Sequence, residues 1–238
     1  LKFINLILDH ELHGNFAELS SYFEVNVDVT FYSDTEVEVL SILSQRNSGH
    51  QPDILSIKMY LKQNHELAIS FVHETETIEK IIDFCFDKGV RILVNPAPAI
   101  KLTPLQLKKI WMITPNESEA EILTGISVID KDSALRSAQM ILAQGVKHCI
   151  VTLGEKGSVW VSEKGAFHFT APSVNAVDTT AAGDIFNGYL ADGITRALTI
   201  EKAIVISHAA ASLSVTVKGA QTSIPKREEA QLFLKQNP

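Results

Sequence analysis

From about residue 74 onward, short apolar runs alternate with helical segments that close on glycine, and this alternation limits the chain to an α/β architecture. "ETETIEKIIDFCFDKG" places Ile78, Ile81, Ile82 and Cys85 at helical spacing and ends at Gly89, a residue type suited to the position just past a helix. "VRILV" is a short apolar strand that stops at "NPAPA", and "MIT" is a second strand end. "PNESEAEILTG" reads as a helix closed by Gly125, and "DSALRSAQMILAQG" as one with an Asp/Ser start and Gly145 at its end. "KHCIVTLG" is a buried strand, "EKG" a turn, and "SVWVS" and "GAFHFTA" two alternating strands. "DIFNGYLADGI" and "IEKAIVISHAAASLSVTVKG" are helices. The expected fold is a largely parallel sheet flanked by helices. In such sheets ligands lie beyond the carboxyl ends of the strands. "NPAPA", "TPNESE", "TLGEKG" and "DTTAAGD" all fall at strand-to-helix or strand-to-turn junctions, so they are expected to converge on one edge.

Residues 1–70 read differently, with only Gly14, Gly49 and Pro52 as breakers. Phe23, Val25, Val27, Val29 and Phe31 alternate with polar partners, the mark of a half-buried strand, and the alternation runs loosely into "EVEVLSIL". "SQRNSGHQPD" is a loop by composition, and "ILSIKMYLKQNHELAISFV" shows no clean period. With 238 residues, 45% of them hydrophobic, the chain can bury a substantial core. Its formal charge of −7 argues against a nucleic-acid binder. It does not argue against a phosphorylated ligand, which local backbone amides usually hold. Cys85 and Cys149 lie far apart in apolar surroundings and read as buried, inert thiols of a reducing, cytoplasmic protein. Neither they nor the eight histidines show metal-ligand spacing. No apolar run approaches the ~18 residues of a membrane span, so no membrane partner is expected. The opening "LKFINLILDHELHG" places acids and histidines too early for a signal peptide and lacks an initiator methionine, so the chain is expected to begin inside a longer gene product.

The chemistry concentrates in "DTTAAGD", residues 178–184. Small residues at a helix start leave backbone N–H groups unobstructed, and the helix dipole adds partial positive charge. Ala181, Ala182 and Gly183 can therefore cradle a transferring phosphoryl group, with Asp184 next to them as a proton acceptor. A plainly capped helix explains the same residues about as well. In "TPNESE", Asn116 and Glu119 stand three apart, able to order water around Mg²⁺ or to form a capping box; taken singly the capping box is favoured. Thr152, Gly154 and Gly157 in "TLGEKG" can pass under a nucleotide phosphate or turn a hairpin, and alone the hairpin wins. His208, on an Ala-rich helix, is by itself more often packed than functional.

Taken together, these segments resemble the ribokinase branch of the PfkB family of carbohydrate kinases. The matching residues are "VNPAPA" (94–99), "ITPNESEAEILTG" (113–125), "VTLGEKG" (151–157), "AVDTTAAGDIFNG" (176–188), "HAAASLSVT" (208–216) and "KGAQTSIP" (218–225). Their order and spacing fit over roughly residues 74–238. The resemblance implies a ribokinase-like three-layer α/β/α fold with a reduced or missing β-lid. Residues 1–70 would be a divergent N-terminal part, and 71–238 the nucleotide-binding and catalytic part. It implies transfer of the γ-phosphoryl of ATP to a sugar hydroxyl, with ribose as the sugar. Asp184 looks like the catalytic base, and the amides of Ala181, Ala182 and Gly183 like the anion hole. Asn116 and Glu119 look like the residues near Mg²⁺ and the phosphates, while Thr152, Gly154, Gly157 and His208 would line the nucleotide. An activating potassium ion would fall near Asp178, Thr180, Ser214, Val217, Gly219 and Ser223. The family's lid-mediated homodimer is the assembly the resemblance leaves open.

The N-terminal part departs from the family pattern. Residues 1–70 contain no paired glycines, whereas the family's sugar segment does. Ungapped register puts Val72 where a sugar-contacting glutamate belongs, with Glu74 or Glu66 reachable only through a gap. An active sugar kinase and a truncated or non-catalytic nucleotide-binding relative are therefore both expected readings, the first favoured by the complete set of catalytic motifs.

Overall fold

In the computed structural model, residues 3–6, 26–31, 38–43, 54–59, 66–70, 82–83, 85–87, 89, 91–97, 102–220 and 222–237 are described. The expected loop at 44–53, the helix start at 74–80, and positions Val72 and Glu74 lie outside the described residues. The chain divides into two compact units, Leu1–Ile113 with Gln144–Val146, and Thr114–Ala143 with Lys147–Pro238.

The first unit holds β1 (Phe3–Leu6), β2 (Asn26–Phe31), β3 (Glu38–Leu43), β4 (Ile54–Met59), β5 (Glu66–Ser70), β6 (Arg91–Asn95), α1 (Pro104–Lys109) and β7 (Met112–Ile113). Strands β1–β4–β3–β2 form a separate sheet in that order, with β1 parallel to β4 and the other two pairings antiparallel. The alternating run found in the sequence thus contributes β2, and "EVEVLSIL" contributes β3. The aperiodic stretch after them holds both β4 and β5. Strands β5, β6 and β7 pair in parallel. Ile92, Leu93 and Val94 of β6 are buried, as a continuous apolar run in a parallel sheet should be. Residues 82–83 and 85–87 are helical; Ile82 and Cys85 are buried, and Gly89 takes a left-handed φ of 74°. The short helix α1 goes unannounced by periodicity, yet Thr103 and Gln106 close it with a capping box and Pro104 opens it.

The second unit holds α2 (Glu117–Thr124), α3 (Lys131–Ala143), β8 (His148–Thr152), β9 (Ser158–Ser162), β10 (Gly165–Phe169), α4 (Ala182–Thr195), α5 (Ile200–Ser214) and α6 (Arg227–Gln236). Here β8, β9 and β10 are antiparallel neighbours. The β8–β9 turn is the hairpin that "TLGEKG" suggested, and β9–β10 forms a second. Gly157 explains the first one: its φ is 91°, and a Cβ there would stand 1.8 Å from the Phe169 carbonyl oxygen. Gly125 closes α2 at φ 75°, as its glycine predicts. The helix α3 starts at Lys131, with Asp130 Oδ1 accepting the Ser133 amide at 2.8 Å.

Helices α4, α5 and α6 pack in sequence order. Gly193 permits close approach, since a Cβ there would meet the Ala203 Cβ at 2.9 Å. Ile185, Ala210 and Ala230, one from each helix, share a buried cluster. Each large apolar side chain so buried, such as Ile185 or Leu190, contributes about 1.5–3 kcal/mol. Tyr189 donates its hydroxyl to the Pro225 carbonyl at 2.7 Å, and Asp192 accepts from Arg196 and Arg227. These contacts hold α4 rigidly below its first turn. The expected helix over 200–219 stops at Ser214, because Val215 turns its carbonyl outward to a different partner.

Candidate active site

The first turn of α4 is open. Ala181 occupies the N-cap position in a left-handed conformation, φ 63°, and no side chain caps the helix. Ala182 N–H donates to the Thr179 carbonyl at 3.2 Å. Gly183 is exposed, and a Cβ built on it would meet nothing within 4 Å. A left-handed alanine is strained relative to glycine, and strain of this kind clusters where backbone must be presented to a ligand. Asp184 follows in the same turn, partly buried. Partial positive charge at the helix end and an unobstructed approach are what an anion requires.

Behind this mouth, Asp178 fastens two segments together. Its Oδ1 accepts the Thr180 amide at 3.0 Å, and its Oδ2 accepts the Gly219 amide at 2.9 Å. The Val215 carbonyl accepts both the Val177 amide, at 2.7 Å, and the Asp178 amide, at 3.1 Å. Hydrogen bonds from Thr180 and then Gly219 hold the Asp178 carboxyl at about 2, well below its usual range, so it is an anion at any physiological pH. Three of the six expected cation residues, Asp178, Thr180 and Gly219, are thereby brought into direct hydrogen-bonded contact. Val217 donates its amide to the Ser214 carbonyl, Ser214 Oγ donates to Ala211 and Ser223 Oγ to Ala220. A carboxylate that stays anionic is a suitable ligand for a monovalent cation, although both its oxygens here accept backbone amides.

Asn116 and Glu119 meet as a capping box at the start of α2. Asn116 Oδ1 accepts the Glu119 amide at 2.9 Å, and Glu119 Oε2 accepts the Asn116 amide at 2.8 Å. The Thr152 amide donates to the Pro115 carbonyl at 2.9 Å, which ties the end of β8 to this turn. Burial pushes Glu119 up to about 7, and the charge of Asp184 adds to the rise. The two carboxylates are thus electrostatic neighbours. Among the described residues no group of three or more His, Cys, Asp or Glu could hold a metal ion. An acid and an amide in one turn are the few oxygen ligands that Mg²⁺ accepts alongside water.

Thr152 is half-buried at the end of β8, and a short 3₁₀ turn, Gly154–Lys156, leads into Gly157. A Cβ at Gly154 would meet nothing within 4 Å, whereas Gly157 is needed by the hairpin itself. His208 is buried, with its Nε2 2.8 Å from Ser158 Oγ and its ring 4.9 Å from that of Phe186. Burial lowers it to about 4, so it is neutral. Cys85 and Cys149 are both buried free thiols, and burial pushes each upward, away from reactivity. Sequence reasoning missed two residues here. Val215 orders the loop before α4 through its carbonyl, and Asn187 donates Nδ2 to the Gly183 carbonyl at 2.9 Å. An asparagine inside the apolar run "IFNGYL" is the signal that marks the second. Among the described residues no helix is long and apolar enough to cross a membrane.

A ribokinase of Haemophilus influenzae is 47% identical over 147 residues, covering 61% of this chain and 48% of that protein. A deoxyribokinase of Salmonella typhi is 35% identical over 178 residues, covering 74% and 58%. The chain spans about half the length of the curated relatives it matches. A solved structure of Arabidopsis thaliana ribokinase complexed with ribose and ATP superimposes with a TM-score of 0.68 at 26% identity, covering 72% of this chain and 56% of that one. The fold is accordingly the ribokinase-like α/β fold, of the three-layer α/β/α class. The family model for pfkB family carbohydrate kinases matches residues 29–227, and the chain belongs to that family.

Proposed function

We propose that this chain carries the phosphoryl-transfer site of an ATP-dependent sugar kinase, with ribose as the acceptor. The observation behind this reading is the uncapped mouth of α4, with Asp184 in its first turn. Asp184 accepts the proton of the sugar hydroxyl as that oxygen bonds to the γ-phosphorus and the bond to the β,γ-bridging oxygen breaks, leaving ADP. The amides of Ala181 and Gly183 would face the charge that builds on the γ-phosphoryl oxygens, joined by that of Ala182 once it leaves the Thr179 carbonyl. Asn116 and Glu119 would hold Mg²⁺ through water; when bound, that ion neutralises phosphate charge. Thr152, Gly154, Gly157 and His208 would flank the nucleotide. Potassium would sit by Asp178, Thr180, Ser214, Val217, Gly219 and Ser223, setting the loop that presents the anion hole. A cytoplasmic homodimer is the form this reading carries.

The Salmonella relative is named a deoxyribokinase and the Haemophilus one a ribokinase, so the sugar is the finest part of the reading. A second reading, a nucleotide-binding relative without sugar turnover, draws on the absence of paired glycines in residues 1–70. One experiment separates them: ADP release from MgATP by the purified chain, with and without ribose, deoxyribose and other sugars, in potassium and again in sodium. Sugar-stimulated release that vanishes in Asp184→Asn establishes the kinase and names its acceptor. Retained ATP binding with no stimulation by any sugar selects the second reading. Equal rates in sodium and potassium would remove the proposed cation site.

A further inference from the structure

Asn187 lies one helical turn after Gly183, 4% exposed, on an apolar stretch of α4 with Ile185 and Phe186. Its Nδ2 donates to the Gly183 carbonyl at 2.9 Å, which fixes the orientation of the side-chain amide, because a carbonyl oxygen only accepts. Its Oδ1 is shielded from solvent and has no hydrogen-bond partner among the described residues. A buried amide with one unmet acceptor is a standing cost to the fold, and such groups in native structures call for an explanation outside packing.

The carbonyl it grips supplies that explanation. Gly183 C=O and Asp184 N–H are two ends of one planar peptide group. Gly183 is the softest residue of the first turn: it has no side chain, and nothing within 4 Å would touch a Cβ there. The openness that lets a ligand approach also removes any packing that would hold the backbone. The Asn187 amide holds it from below, through a bond additional to the helical ladder. Donation to the carbonyl also polarises the peptide group, which strengthens the N–H at its other end.

We propose that Asn187 is a positioning residue, whose side-chain amide sets the plane of the Gly183–Asp184 peptide and so the direction in which Asp184 and the first-turn amides face the transferring group. The assignment rests on the phosphoryl-transfer reading of the site. Hydroxyl side chains in this protein make the same bond one turn back: Thr124 to Ala120 and Ser207 to Ala203, each at 2.6 Å. Serine at position 187 can therefore supply the donor without the amide's unmet oxygen.

The test compares Asn187→Ala with Asn187→Ser. The alanine variant should lose about tenfold in kcat with KM for ATP changed less than about twofold, while the serine variant recovers most of the loss. Its thermal midpoint should stay near wild type, because the orphaned oxygen leaves with the amide. An unchanged kcat in Asn187→Ala overturns the proposal. So does a serine variant no better than alanine, which would make the residue a space-filler. Should the wild-type chain show no sugar-dependent turnover, the kinase reading fails by itself. The Asp184 amide ¹⁵N resonance then decides the positioning role: an upfield shift in alanine, restored in serine, supports it, and an unmoved resonance overturns it.

Discussion

The mouths of α2 and α4 look alike in sequence, each with a polar residue and an acid in the first turn, and they differ in where those groups are spent. In α2 the Asn116 side chain and the Glu119 carboxylate reach for each other's backbone, so the helix closes on itself. In α4 no side chain returns to the amides, and a left-handed alanine stands at the cap. Four other helices, α1, α2, α3 and α5, have side chains that accept from their first-turn amides. A helix start that leaves its amides uncapped forgoes about 1 kcal/mol of stability, and the position next to Asp184 is where that loss can serve a reaction.

The comparison breaks most sharply at Asp184. Asp184→Asn should cut kcat by about a thousandfold with ATP affinity nearly unchanged, because a base acts mainly in the transition state. Loss of ATP binding, measured calorimetrically, would assign the residue to the ligand rather than to the proton. Acid gives the next effect. Burial holds His208 at about 4 in the folded chain against an ordinary value near 6.5, so the unfolded chain binds the extra proton between those limits. Stability should therefore fall as the pH drops from about 6.5 toward about 4, by about 3 kcal/mol in all, and denaturant midpoints across that range check it. An α5 whose packing on Phe186 survived that range undiminished would contradict the buried neutral ring.

Gly183→Ala sharpens the contrast from the other side. Alanine has room and a better helix propensity, so the melting temperature should hold or rise, with a gain of up to about 1 kcal/mol. The new methyl stands in the open approach to the amides, and kcat should drop about tenfold or more. A variant both stabler and equally fast would mean that nothing needs that space. The smallest effect belongs to α2: Asn116→Ala should cost about 1 kcal/mol of stability, as the loss of a cap does. Turnover reduced as far as in Asp184→Asn, at unchanged stability, would make Asn116 a ligand residue instead of a cap.

What the sequence disclosed and what it withheld divide along range. The bounds of α2 were readable because both signals are local, an Asn-x-x-Glu start and a glycine that must turn left-handed. The end of α5 was not, because Val215 leaves the helix to bind amides at residues 177 and 178, and no spacing within the helix records that. The antiparallel turn at Gly157 was legible as a hairpin, while its dependence on the Phe169 carbonyl is a matter of tertiary approach. Helix α1 carried a readable Thr-Pro-x-Gln start but too few residues for periodicity. For the site, the family resemblance grouped Asp178, Thr180 and Gly219, and the fold joins them by hydrogen bonds. Asn187 announced itself only as a polar residue in an apolar run, while its unmet oxygen is created by packing alone.

The clasp between Asp178 and Gly219 has a consequence for how the protein is made. A ribosome delivers the chain amino end first, so α4 and its open first turn emerge before the residues that fix the loop in front of them. Val215 and Gly219 arrive only after the whole of α5 has left the tunnel. Until then Asp178 has no partner on the far side, and the mouth of α4 is an unset turn. The loop in front of α4 is therefore set only after α5 is complete, and a nascent chain halted before Gly219 would carry residues 178–184 without the clasp that orders them.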